Sequence, residues 1–349
     1  MDEQNKIKEG NHYLPRTYLK HFLLDDKLFM YKKGKKFFEE NITMNNRVIV
    51  VNSEKGLNNI AKENNLYTVK VNGKESDLME DAFRKMGEDF YNTGIVKKIE
   101  RKKEGDLIEE ELKEKICIFL AMMLIRTPRY KFDVEDVEIL FKKVDFFNLK
   151  HNKDEKKVLI KKLNKKRSEK LDIEKFDSII DSFLNEDTRV GFSNELFIRQ
   201  GLEMFMGYAQ IFMDMKATIY KSDEHFLTSD NPVVYFVPSG KTDFYNPAKS
   251  LMSPHTELFF PLTKNLGLHL ARKDKEEKII KAPQGFAEKC FNYNIAHNSW
   301  QFIFTPSKMI FLEKFIEQYI PYPFIFKHPD FNKIVEKFQK NKQHNEDTR

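Results

Sequence analysis

Ten consecutive apolar residues, Ile116 to Ile125, constrain this 349-residue chain more than any other feature. A helix with no polar position on any side has to be wrapped by protein all round. The run is too short to span a bilayer, which takes about 20 such residues. It predicts a helix from after Gly105-Asp106 to about Arg126, the central helix of a bundle. Pro128 ends it, because the ring cannot continue a helix and restricts the residue before it. Cys117, inside the run, reads as a small core residue.

Other periodic segments surround this one. Ser76 with Met79-Glu80, then Phe83, Met86 and Phe90, predicts a capped amphipathic helix to about Lys98. Phe176, Ile179, Ile180 and Phe183 fall at i, i+3, i+4 and i+7, a helical stripe. Asn194 to about Met215 predicts a further helix, with Gly201 and Gly207 as close-packing points. Residues 28–31 and 47–51 read as strands, with another over 66–69 and Val71. After Ala217 the texture is β again, with strands at 217–220, 226–228, 233–237, 258–261, 266–270 and 302–305. A helix is expected from Gln284 to about Asn298.

The fold class is therefore α+β. One domain is expected over 11–330, with a helical part at about 76–216 and a β-rich part at about 217–306. The N-terminal and C-terminal β segments are each short of strands, so they are expected to join in one mixed or antiparallel sheet. Residues 1–10 and the charged tail 333–349 read as flexible.

The net charge of +6 is modest for this length, but it is unevenly placed. Lys142–Lys170 holds 12 Lys/Arg against 4 Asp/Glu, a net of +8, so the remainder carries about −2. Lysines of this kind position phosphates without reading bases, which makes nucleic acid the candidate partner of the segment. The alternative is a solvated helical face. No aromatics interleave the lysines between 150 and 170, which argues against a base-stacking platform. Two isolated cysteines give neither a ligand pair nor a disulfide framework and fit a reducing compartment. With no apolar stretch in residues 1–10, the expectation is a cytoplasmic protein with no membrane partner.

Two polar clusters resist a purely periodic reading: His12-Tyr13-Leu14-Pro15-Arg16 with Tyr18, Leu19 and Phe22, and Phe226 to Val233. With them the chain resembles a widespread bacterial family known only as a domain of unknown function. The resemblance rests on His12, Tyr13, Pro15, Tyr18, Leu19 and Phe22, and on the turn Thr228-Ser229-Asp230-Asn231-Pro232-Val233. Arg126-Thr127-Pro128, Pro261-Leu262-Thr263 and Asn292 or Asn294 complete it, over roughly residues 11–306. It implies fold boundaries and a choice of residues, and no activity.

Asp230 follows a strand and precedes Asn-Pro, a position suited to a metal ligand or base. It suits equally an Asx-turn that accepts a backbone N–H. His12 reads as an acid/base or as a donor to a carbonyl. Arg126, leaving the most apolar helix, needs a partner: a substrate phosphate or Asp230 itself. Arg16, Tyr18, Ser229, Asn231, Asn292 and His297 are the candidate substrate-binding residues.

Two functions follow. One is a phosphodiester-cleaving enzyme, a nuclease or phosphodiesterase. Asp230 would hold Mg²⁺ or Mn²⁺ or act as base, His12 would act as acid/base, and Arg126 or Arg16 would stabilise phosphate charge. Glu80, Glu88 and Glu257 are the available extra carboxylates. The other is a non-catalytic nucleic-acid-binding or regulatory protein whose same residues form a buried network. Zinc motifs, phosphate-binding glycine loops and a GxSxG elbow are absent.

Overall fold

The computed structural model describes residues 10–33, 48–71, 74–165, 170–184, 193–237, 251–272 and 277–318. Of the flexible ends expected at 1–10 and 333–349, all but Gly10 lie outside these residues. In chain order the elements begin with β1 (Asn11–His12), α1 (Arg16–Lys20), β2 (Lys27–Lys32), β3 (Val48–Asn52), α2 (Ser53–Gly56) and β4 (Lys62–Glu63). β5 (Val69–Val71), β6 (Lys74–Ser76), α3 (Leu78–Asn92), α4 (Ile95–Arg101) and α5 (Glu110–Ile125) follow. Next come α6 (Pro128–His151), α7 (Lys153–Asn164), α8 (Ile173–Leu184) and α9 (Asn194–Met213). The strands β7 (Lys216–Lys221), β8 (Thr228–Ser229), β9 (Val234–Phe236), β10 (Glu257–Thr263), β11 (Leu266–Ala271) and β12 (Lys278–Lys281) lead to a π-turned stretch at Ala287–Asn292. The described chain closes with α10 (Tyr293–Asn298), β13 (Phe302–Thr305) and α11 (Ile310–Gln318). This is an α+β fold. No described helix is long and apolar enough to cross a membrane.

The chain divides into two compact units, one of residues 1–132 and 193–321, the other of 133–192 and 322–349. In the first, α5 is buried at every residue from Phe119 to Ile125 and packs against α3 and α9. Phe119 stacks on Phe90 of α3 with centroids 4.0 Å apart. Gly201 of α9 is a close-packing point, since a Cβ there would meet Ile125 at 3.3 Å and Tyr130 at 3.4 Å. Gly207 is not, because a Cβ there would meet nothing within 4 Å.

The helix expected over 76–98 is two helices. Gly94 takes φ +78°, a left-handed conformation that ends α3 and redirects the chain into α4. Pro128 acts twice: α5 stops at Ile125, and Pro128 then opens α6 at the position where a missing N–H costs nothing.

Two larger sheets lie in this unit. One, in order β3-β2-β13-β8, is antiparallel and joins N-terminal to C-terminal strands, as expected. The other C-terminal strands form a second sheet, β12-β7-β11-β10-β9, in which only β12 runs parallel to its neighbour. The sequence reading did not find β12. β11 is buried along its whole length, as strands covered on both faces are. Gly267 sits where a Cβ would strike the rings of Phe291 and Phe226 at 2.9 and 3.0 Å, so glycine lets the π-turned stretch seat on the sheet. Pro261 cannot donate to a ladder, and the register shifts between Pro261 and Thr263.

The second unit holds most of α6 with α7 and α8. Ile160, Phe176 and Ile180 form its core, with Phe146 and Leu149 packed against them. The stripe read at 176–183 is thus half core, as Ile179 is exposed.

Candidate functional site

The segment from Asn11 to Phe22 is held by groups far away in sequence. β1 pairs with β4, and Tyr13 N–H donates to Ala61 O at 3.0 Å. Pro15 starts α1, and its carbonyl accepts from Tyr18 and Leu19 N–H. The Tyr18 hydroxyl, fully buried, lies 2.6 Å from Thr228 Oγ1 and donates to Pro261 O at 2.9 Å. Tyr91 donates to Leu262 O at 2.9 Å. The irregularity around Pro261 thus leaves carbonyls for two buried phenols. His12 Nε2 is 3.2 Å from Asn58 O, and exposed Arg16 donates to Asn58 Oδ1. Partial burial lowers the His12 pKa; the Asn58 carbonyl opposes this, while Arg16, Lys62 and Arg126 lower it further. The ring is therefore neutral at pH 7.

Arg126 caps α5 and is 1% exposed. Its guanidinium donates to His12 O and, at 3.2 Å, to Phe83 O, and it lies 3.3 Å from the Met122 sulfur. Its carbonyl accepts from the Tyr67 hydroxyl. The guanidinium sits 5.6 Å from the Phe83 ring centre and 6.0 Å from that of Tyr67. Gly87 of α3 makes room: a Cβ there would lie 2.6 Å from Pro15 Cγ and 3.3 Å from Arg126 Nη1. Neither Asp230 nor another carboxylate is its hydrogen-bond partner among the described residues. Arg126 ties the His motif to the bundle through carbonyl oxygens.

Asp230 is 1% exposed, and its bonds run to a segment 70 residues away. Oδ1 accepts Trp300 N–H at 2.7 Å; Oδ2 accepts Gln301 N–H at 2.5 Å and Phe302 N–H at 2.8 Å. Burial raises its pKa to about 6 against the pull of these three N–H groups and of Lys33. Lys33, just after β2, donates to Ala296, His297 and Ser299 carbonyls at 3.0, 3.2 and 2.8 Å. Burial lowers its pKa to about 7, with Asp230 opposing. One turn, 296–302, is thus gripped by a carboxylate on its N–H groups and an ammonium on its carbonyls.

The local turn expected of Asp230 belongs to Ser229, whose Oγ accepts Asn231 N–H at 3.2 Å. Asn231 Nδ2 donates to Asn298 O at 2.9 Å. Asn292 bridges Leu227 N–H and His225 O, both at 2.9 Å. The His297 ring is 6.2 Å from that of Tyr293, and burial followed by Lys33 lowers its pKa.

The candidate residues therefore form two nodes, His12–Arg16–Arg126 and Asp230–Asn231–Lys33. No direct hydrogen bond joins them among the described residues. Tyr13 lies between, buried and close enough to Asp230 for that charge to raise its pKa, after the larger effect of burial. The extra carboxylates do not converge on Asp230. Glu257 faces His269 at 2.8 Å, Glu88 faces Arg84 at 3.2 Å, and Glu80 lies near Tyr67, whose pKa burial raises and the Glu80 charge raises further. Among the described residues no group of three or more His, Cys, Asp or Glu could hold a metal ion. Lys33 and Tyr67 are the members that sequence reading missed. No motif surrounds either, and a lysine after a strand reads as solvated.

In the second unit part of the basic excess is paired internally. Lys142 meets Glu138 at 3.7 Å, Lys156 meets Asp177 at 2.6 Å, and Lys150 meets Asp181. Lys157, Lys161, Lys165 and Lys170 instead border an open hollow of about 900 Å³.

The family described as "Protein of unknown function (DUF4238)" matches residues 11–309, and the chain belongs to it. No curated protein and no solved structure matches the chain.

Proposed function

We propose that this member of the DUF4238 family is a non-catalytic nucleic-acid-binding or regulatory protein. Its two motifs form a buried network that fixes the fold, and its lysine-rich helical unit is the binding surface. The observation that carries the reading is the enclosure of Asp230: three backbone N–H groups bond its two oxygens, and it is 1% exposed. A metal ion or attacking water would displace charge-assisted bonds worth about 1.5–3 kcal/mol each. Arg126 is likewise buried and bonded to carbonyls, where it offers no fork to a phosphate. The phosphodiester-cleaving reading uses the same residues and requires both nodes to open.

The test incubates the protein with labelled RNA, single-stranded DNA and duplex DNA, with Mg²⁺, Mn²⁺ or EDTA, beside Asp230→Ala and His12→Ala. The expected result is retention of nucleic acid without cleavage, and a marked stability loss in Asp230→Ala. Cleavage by the wild type that both folded variants lack would refute the reading.

A further inference from the structure

We infer that the hollow between α7 and α8 seats one strand of a nucleic-acid backbone, one lysine to a phosphate, without reading sequence. The inference rests on the binding function proposed above and names its site.

Lys157 and Lys161 of α7 and Lys165, which caps its C-terminal end in helical conformation, follow one another at four-residue intervals and so share a face, about 6 Å apart along the axis. That interval is comparable to the separation of neighbouring phosphates along one strand. Lys153 continues the row one turn earlier, outside the lining, and Lys170 also borders the hollow. All five are exposed, and none is ion-paired among the described residues. On the same helix, Lys156 is buried against Asp177. The helix thus neutralises its inward lysine and leaves its outward row charged. Like charges at i, i+4 repel one another, a cost that a bound polyanion relieves.

The floor is preformed. Asn164 clasps Leu171 through both backbone groups, at 2.8 Å each. Ile160 and Ile173 supply its apolar part. Two carboxylates lie at the rim, Asp172 and Glu174. Asp172 is engaged in accepting Lys175 N–H at 2.7 Å, and the first turn of the 12-residue α8 brings its positive helix end to the same hollow. Among the described residues no aromatic lines the hollow, so bases have nothing there to stack on and sequence should not matter.

The experiment is fluorescence anisotropy with two fluorescein-labelled single-stranded DNAs, one polypyrimidine and one of mixed sequence, between 50 and 200 mM salt. Wild type is compared with K157Q/K161Q and with the charge-matched K85Q/K162Q, whose lysines are exposed and do not line the hollow. Circular dichroism confirms that each variant is folded. The four lysines that line the hollow, one phosphate each, give a slope of log K against log salt of about −2.8; losing two of them brings it to about −1.4. K85Q/K162Q should keep the wild-type slope, and both DNAs should bind within about threefold of each other. If the two variants share one slope, the hollow is not the site, although the binding function stands. If the wild type fails to bind either DNA at 50 mM salt with protein at about 10⁻⁴ M, within the usual non-specific range, this inference falls, and with it the single-strand-binding form of the proposed function.

Discussion

Replacing Asp230 by Asn tests the buried grip on the turn 296–302. The amide keeps one oxygen, which can hold the Gln301 and Phe302 N–H groups; Trp300 N–H then faces an NH₂. One charge-assisted bond is lost, about 1.5–3 kcal/mol, and a buried donor goes unsatisfied, about 1–3 kcal/mol. Removing a buried charge offsets part of this, so the expected cost at pH 7.5 is about 2–4 kcal/mol. The pH dependence is the sharper test. The folded pKa of about 6 stands above the usual 3.8, so between these values the native state binds more protons than the unfolded one. The contribution of this group to stability is therefore greatest below 3.8 and is lost as pH rises through 6. Between pH 5 and 7.5 the wild type should lose about 1.4 kcal/mol from Asp230, a loss the Asn variant cannot show. The cost of the substitution should thus be larger at pH 5 by at least that amount. Lys33, deprived of Asp230, should titrate lower in the variant and widen the difference. The assay is urea unfolding at both pH values, followed by circular dichroism and by the fluorescence of Trp300, the only tryptophan. A cost equal at the two pH values within about 0.5 kcal/mol, or larger at 7.5, would mean that the carboxyl is not held as a desolvated group, and the reasoning would fail.

Two further outcomes are expected in the same assay. Gly87→Ala places a methyl 2.6 Å from Pro15 Cγ and should cost about 1–3 kcal/mol, the usual range for overpacking; no loss would mean that α3 and the Pro15 turn separate freely. Tyr18→Phe removes the hydroxyl that meets Thr228 and Pro261 and should cost about 1–3 kcal/mol, with a coupling of at least about 0.5 kcal/mol to Thr228→Val in a double-mutant cycle; additive losses would refute the buried bond.

What the sequence disclosed follows the range over which each feature is determined. The apolar run of α5 was legible to its last residue, Ile125, because an all-apolar helix has one solution wherever it is placed. β13 was legible at Phe302–Thr305 because apolar residues and turn signals bound it locally. Gly94 was overlooked because one glycine inside a good helical pattern is ordinarily tolerated. β12 was overlooked because Lys-Ile-Ile-Lys is too short for a period. The candidate residues were marked as unusual by their composition, but their roles depend on distant partners. Tyr18 meets groups 210 and 243 positions away, and Asp230 holds N–H groups 70–72 positions on. No local pattern distinguishes a carboxylate awaiting a metal from one already bonded to distant backbone.

The sheet that joins β2 to β13 has a consequence during synthesis. Lys32 pairs with Phe302 and Phe29 with Thr305. A ribosome adding about 5–20 residues per second needs roughly 15–55 s to cover the roughly 270 residues between them. For that interval one side of β2 lacks its native neighbour, with Leu28, Met30 and Tyr31 awaiting burial. Such an edge invites pairing with other nascent chains. Early production of this protein should thus depend on chaperone occupancy more than its finished stability would suggest.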